Sequence, residues 1–137
     1  MRALLAEQAA ILERAARGHD LPALLDDLCR MIEDQDAGTT CTVLLLEGDH
    51  MRHGAAPGMP SAFTEAIDGE QIGPNAGSCG TAAYTAAPVF VDDVATDPRW
   101  RPWKDLALGL GYHACWSVPV VDEAGTVLAT FAAYCVD

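Results

Sequence analysis

Residues 39–47 read TTCTVLLLE, and no other stretch constrains the fold as much. Its β-branched and apolar residues do not alternate with polar ones, so a strand here is buried on both faces. Such a strand lies centrally in a sheet, with a layer of structure on each side. The chain has 137 residues, the size of one domain, and can bury a core without disulfides or metals.

The segments around this run supply the layers. Leu21, Leu24, Leu25, Leu28, Cys29 and Ile32 recur at helical spacing. Asp20 can cap that helix, Pro22 suits its first turn, and Gly38 ends it. Ahead of it, residues 2–17 can form a helix with a thin stripe of Leu5, Ala9, Leu12 and Ala16. Such a stripe packs on its own domain or on a second copy of itself.

After the central strand, Gly48-Asp49 turns the chain into a weaker strand at 50–55. A short helix follows over 60–68, then a loop marked by Gly69, Gly73 and Pro74. Ser78 can cap a helix running through CGTAAYT. PVFV at 88–91 is a short strand ended by Asp92 and Asp93, and DPRWRP at 97–102 is a turn. The next helix carries Trp103, Leu106, Ala107 and Leu110 on one face and stops at Gly111. HACWSVPVVD and TVLATFAAYC form two strands joined by a hairpin at Glu123-Ala124-Gly125. Adjacent strands pair antiparallel, so the class is α+β, with a pocket expected under residues 60–110.

Charge and cysteine usage narrow the function. A net charge of −12 repels phosphate backbones and argues against a nucleic-acid partner. The N-terminal segment is punctuated by charge and reads as neither a secretion signal nor a membrane span. The five cysteines, Cys29, Cys41, Cys79, Cys115 and Cys135, are odd in number and show no CxxC spacing. Free thiols in a reducing cytoplasm are the reading, rather than a disulfide framework or a zinc site.

LPALLDDLCRMIEDQ, CTVLLLEGDHMRHGAAPGMP, AIDGEQIGPNAGSCGTAAYTAAPVFVDDVATDPRW and HACWSVPVVDEAGTVLATFAAY span nearly all of residues 20–135. In this order they resemble a GAF domain of the kind found in bacterial sensor histidine kinases and in GGDEF/EAL cyclic-di-GMP enzymes. Ala129 and Ala86 stand where such domains commonly carry glycine. The resemblance implies a GAF/PAS-like six-stranded antiparallel sheet with helical layers and a lid region over a pocket. It places a dimerisation helix at 1–18 and the GAF domain at 19–137. It also implies a regulatory module rather than an enzyme, working as a homodimer that controls a C-terminal output domain. The chain stops just after its last strand, where such proteins continue into a signalling helix, so a piece of a longer sensor is expected.

GSCGTAA at 77–83 raises the sharpest chemical question. A thiol at a helix start can be acidified by the helix dipole, yet catalysis also needs a base or cation nearby. The competing reading of Cys79 is a small buried residue where glycines let a helix approach the sheet. Free methionine-R-sulfoxide reductases are GAF-fold enzymes with a similar GxCGTAA stretch. Their attacking cysteine lies after the third strand, and carboxylates on the last two strands hold the substrate. Here residues 94–114 contain no cysteine, and the matching strand positions are Cys115, Ala132 and Tyr134, which argues against that activity. PWKDLALGLG has neither the Cys nor the His of a bilin-attaching helix, and the cyclic-nucleotide signature of the family is absent. The four histidines, His19, His50, His53 and His113, do not cluster as a haem or metal site would require, and the identity of any cofactor stays open.

By strand alternation Cys115 and Ser117 share one face of 113–119, and Ala114, Trp116 and Val118 share the other. By resemblance the Cys115, Ser117 and Tyr134 face looks into the pocket. Cys79 and Thr81 at the helix start, Asp93 at the lid, Trp100, Trp103 and His113 complete the candidate lining. Trp103 and Trp116 can instead be core, with Trp100 packing a turn. Three functions stay open: a small-molecule sensor acting through a dimer, a dimerisation module without ligand, and a thiol redox sensor using Cys79 and Cys115.

Overall fold

The structure, a computed structural model, describes residues 21–136. The helix read over 2–17, His19 and the Asp20 cap lie outside the described residues. In chain order the elements are α1 (Leu21–Gln35), β1 (Thr39–Glu47), β2 (His50–Ala55), α2 (Ser61–Ile67), α3 (Gly77–Thr85) and β3 (Val89–Val91). A 3-10 turn (Pro98–Trp100), α4 (Lys104–Gly109), β4 (Ala114–Val121) and β5 (Val127–Cys135) complete them.

All strands pair antiparallel, in the order β2-β1-β5-β4-β3. TTCTVLLLE is β1, bonded on both sides, as its two-sided apolar pattern requires. The sheet has five strands among the described residues, not the six that the family resemblance implied. The nearest approach to another is a single bridge between His50 and Gln71. The chain around Gln71 is broken by Gly69, which has a positive φ of 85°, and by Gly73-Pro74, so pairing does not propagate.

Two clusters share the sheet between them. On one face, Leu25, Leu28, Cys29 and Ile32 of α1 pack on Cys41 and Val43 of β1, Val118 and Val120 of β4, and Phe131 of β5. These are the helical positions that the apolar spacing singled out. Glu33 fastens this layer: its Oε2 accepts from the Cys41 backbone N–H at 2.9 Å. The opposite face carries Leu44, Cys115, Ala132 and Tyr134 under Met51, Phe63, Cys79, Val94, Trp100 and Tyr112. The expected lid region is therefore a second helical layer, built by α2, α3, the 3-10 turn and α4.

One local strain is legible in the sequence. Ala86 caps α3 in the left-handed region, φ 55° and ψ 34°. A Cβ there crowds the backbone, at a cost of roughly 1–2 kcal/mol, which glycine avoids. Ala86→Gly should raise the unfolding free energy by about 0.5–1 kcal/mol, the relief of strain being partly offset by the freer unfolded chain. Urea titration of the two proteins at one temperature checks this.

Candidate functional site

The GSCGTAA segment forms α3 and is the hub of the second layer. Gly77 has φ +70°, and a Cβ on it would lie 3.5 Å from Trp103. Gly80 faces a tighter constraint, since a Cβ there would lie 2.5 Å from Ala76 Cβ and 3.2 Å from Met51 Cε. Gly77 through Ala83 are all buried, so the helix sits on the sheet with no side chain to spare.

Ser78 does not cap this helix, contrary to the sequence expectation. The residue at the cap position is Ala76, with no side-chain cap bond. The Ser78 hydroxyl instead faces the sheet and donates to the Cys115 carbonyl at 2.9 Å. It accepts from Trp100 Nε1, also at 2.9 Å. One hydroxyl thus links helix α3, strand β4 and the 3-10 turn. The cap is replaced from further along the helix: Thr81 Oγ1 accepts from the Ala76 N–H at 3.2 Å and donates to the Pro74 carbonyl at 3.4 Å.

Cys79 points at the strand beside it, with its Sγ 3.2 Å from Ser117 Oγ. Cys115 Sγ lies 3.9 Å from the same oxygen. Both thiols are buried and free. Burial pushes the Cys79 pKa up, and hydrogen bonding, chiefly by Ser117, only partly opposes it. Cys115 is pushed well above the ordinary thiol value, by burial first and by the neighbouring Cys79 second. These two thiols stay protonated near neutral pH.

Tyr134 sits at the centre of the aromatic layer. Its ring meets Phe63 at 5.3 Å, Tyr112 at 5.6 Å and Trp100 at 5.9 Å between centroids, the first and last edge-on. Edge-to-face packing of this kind adds to the area term. Two hollows flank the Tyr134 ring. One, a shallow cleft with a cavity volume of about 10 Å³, lies between β1, β2 and α2, against Thr42, Leu44, Phe63 and Ile67. The other, equally small at about 10 Å³, lies under Ser78, Cys79, Trp100 and Trp103. Leu44, Ile67 and Tyr134 border both.

Of the candidate residues, Cys79, Cys115, Ser117 and Tyr134 lie together on one side of the sheet, and Trp100 joins them through Ser78, but Cys115 and Ser117 are packed beneath α3 and border neither hollow. Trp103, half-buried, borders the second hollow. The tryptophan roles differ from one expectation: Trp100 is core at 1% exposure, whereas Trp116 is half-buried on the α1 face and donates to Asp92 at 3.0 Å. Thr81 is buried in the α3 cap and borders neither hollow. Asp93 does not reach the pocket either. It is exposed, and its carboxylate accepts from Ala95 N–H and Thr96 Oγ1, closing a turn. His113 is exposed, and its backbone links Val94 to Cys135.

Asp97 is a structural residue that the DPRWRP pattern showed only as a turn. It caps the 3-10 turn by accepting from Arg99 N–H and grips the Arg99 guanidinium at 2.9 and 2.7 Å. Those hydrogen bonds lower its pKa. The sequence reasoning passed over Thr42, whose hydroxyl is buried without a hydrogen-bond partner, as is that of Thr130. A threonine in a β-branched strand run carries no mark that distinguishes it. Leaving one such hydroxyl unpaired costs about 1–3 kcal/mol.

Among the described residues no group of three or more His, Cys, Asp or Glu could hold a metal ion. Nor is any described helix long and apolar enough to cross a membrane.

The sheet order, the two helical layers and the aromatic site between them define a small α+β domain. The chain belongs to the GAF domain family, whose sequence profile matches residues 18–136. It is 35% identical over 133 residues to a methyl sulfide methyltransferase-associated sensor of Methanosarcina acetivorans. That match takes in 96% of this chain and 13% of the relative, so the chain spans about an eighth of that protein. A domain of a putative two-component sensor histidine kinase from Sinorhizobium meliloti has the same fold, with a TM-score of 0.67 and 22% identity over 87% of this chain and 75% of that one. So does the free methionine-R-sulfoxide reductase of Staphylococcus aureus in its reduced form, with a TM-score of 0.70 and 22% identity over 98% of this chain and 79% of that one.

The last likeness corrects one expectation. The resemblance to regulatory domains led to a reading of the chain as not an enzyme. Several similar structures are free methionine-R-sulfoxide reductases, so this fold carries catalysis as well as regulation, and enzymatic activity is compatible with it.

Two outcomes test the geometry. Gly80→Ala should destabilise the domain by about 1–3 kcal/mol, because the new methyl meets Ala76 and Met51 in a packed layer. The second concerns alkaline pH. Burial raises the Cys29 pKa from 9.0 to about 12, and Cys41 is raised further in the same direction. A raised native pKa means that the native state holds its proton where the unfolded chain has lost it. This contribution is whole below pH 9 and is lost as the pH rises from there towards 12. Each such thiol should remove about 1.4 kcal/mol per pH unit in that window. Denaturation at pH 8, 9 and 10 reads the slope, and Cys29→Ala should reduce it.

Proposed function

We propose that this chain is the sensory module of a larger cytoplasmic signalling protein, in which a small molecule at the Tyr134 site biases an attached output domain. The observation that carries this reading is the pair of hollows around one aromatic ring, roofed by the short elements α2, α3, the 3-10 turn and α4. Small-molecule sites are commonly such apolar, aromatic-walled clefts with few polar groups. The roof hangs on few side-chain ties, so occupancy can change how it seats on the sheet. The relative in Methanosarcina acetivorans, described as a sensor, supports the same class of function.

In this reading the output domain is a histidine kinase or a cyclic-di-GMP enzyme, and the working unit is a homodimer. Two conformations differ in how the two copies pair, and ligand shifts the balance through its different affinity for each. A coupling of about 1–3 kcal/mol suffices for such a switch. The thiol-redox alternative draws on Cys79 and Cys115, which share the Ser117 hydroxyl, but burial of both sulfurs works against it.

Analytical ultracentrifugation tests the dimer. The 137-residue chain should self-associate at micromolar concentration, and Leu5→Asp with Leu12→Asp should weaken this at least tenfold. A chain that stays monomeric at all concentrations, or a double variant that associates like the parent, removes the dimer from the account.

A further inference from the structure

The structure assigns α2 the role of a hinged plug: Phe63 and Ile67 close the cleft over Thr42 and Tyr134, and the helix opens as a unit while the sheet stays folded. The inference goes beyond the sensory reading, because it concerns the resting state of the cleft and needs no ligand.

The helix is short and is seated by side chains alone. α2 has seven residues, below the length at which a helix is stable by itself. Its N-cap, Pro60, makes no side-chain cap bond. The bonds at its ends stay local. Phe63 and Thr64 N–H reach the Pro60 carbonyl, Asp68 N–H reaches the Thr64 carbonyl, and Thr64 Oγ1 donates to the Ser61 carbonyl. Among the described residues no hydrogen bond joins 61–67 to the sheet or to another helix. Ser61, Ala62, Glu65 and Ala66 are exposed. What holds α2 down is the buried pair Phe63 and Ile67, with the Phe63 ring edge-on to Tyr134 at 5.3 Å and to Tyr112 at 6.5 Å.

The segment is fixed at both ends. Behind it, Gly69 N–H donates to the Met51 carbonyl at 2.6 Å, and Met51 N–H donates to the Glu70 carbonyl at 2.8 Å. The Asp68 carboxylate accepts from His53 N–H at 2.9 Å. Ahead of it, Gly58 lies against Glu33, where a Cβ would come within 2.8 Å of Oε2, and Met59 is buried. Residues 60–67 thus form a strap between two posts. Such a segment opens locally at a fraction of the free energy of global unfolding.

Beneath the plug the closed form carries a defect. Thr42 is 5% exposed and lines the cleft with Phe63, Thr64 and Ile67, and its hydroxyl has no partner. The cleft itself is about 10 Å³, the space of a single water, so Phe63 and Ile67 stand where anything larger would have to go. An unmet buried hydroxyl destabilises the closed form, and opening returns it to water. Thr42 therefore lowers the cost of opening. A molecule that reaches the Tyr134 ring by this route must displace Phe63, and its apparent affinity falls by the fraction of chains that are open.

Native-state hydrogen exchange of the 15N-labelled 137-residue chain, followed by NMR, tests this. Relative to their intrinsic rates, the amides of 63–68 should exchange roughly a hundredfold or more faster than those of β1 and β5. Their exchange should also depend less on urea, since opening the strap exposes less surface than unfolding the domain. Thr42→Val keeps the shape and removes the hydroxyl, so it should slow exchange at 63–68 about tenfold. Exchange at 63–68 that matches β1 and β5 in rate and urea dependence would mean that α2 opens only with the whole domain, and overturns the proposal. So does a Thr42→Val chain that leaves exchange at 63–68 unslowed, whatever it does to β1 and β5, because α2 then does not cover this hydroxyl.

Discussion

The Ser78 hydroxyl is the interaction on which the site depends. Its bonds to Trp100 Nε1 and the Cys115 carbonyl are both 2.9 Å long and fully buried. They join three segments separated by 22 and 37 residues in sequence. Trp100 is seated by this bond, Tyr134 packs edge-on against Trp100, and Phe63 and Tyr112 pack against Tyr134. The aromatic layer that bounds both hollows is thus positioned from one side chain on α3. A buried indole N–H must find an acceptor, and the layer offers it this one.

The two faces of the sheet are stabilised by different physics. The α1 face is largely apolar and gains its stability from area removed from water, and Glu33 adds a polar tie from α1 to β1. The opposite face carries Ser78, Cys79, Thr81, Ser117 and Thr130 amid the aromatics. Buried hydroxyls and thiols are costly unless paired, and Thr42 and Thr130 are not. A domain that served only to pack would gain by replacing them with valine.

Much of this was legible in the chain. The two-sided apolar run at 39–47 fixed β1 as central, and the 3-4-7-8-11 spacing identified the buried stripe of α1, because both patterns record burial directly. Period-two alternation put Cys115 and Ser117 on the face that Tyr134 shares. The sequence misled where one residue type serves two roles. Ser78 precedes a helical run and reads as a cap, yet its hydroxyl is more strongly required by a buried indole 22 residues away. Asp93 at the start of the lid reads either as a pocket residue or as a tie for the turn that follows, and it closes the turn at 93–97, as short carboxylates at loop starts do. Trp100 and Trp116 exchanged roles because pattern alone does not say which of two faces an aromatic meets. Thr42 was invisible, since a threonine in a strand is ordinary until its partner is found missing.

Hydrogen–deuterium exchange of the chain and of Ser78→Ala tests the central claim most directly. If the Ser78 relay holds the aromatic layer, the variant should exchange faster over residues 76–85 and 94–112. The α1 and β1 amides should keep their protection at the same denaturant concentration. Unchanged exchange over 94–112, or a uniform loss of protection through α1 and β1 as well, would show that the layer is held by something other than this hydroxyl.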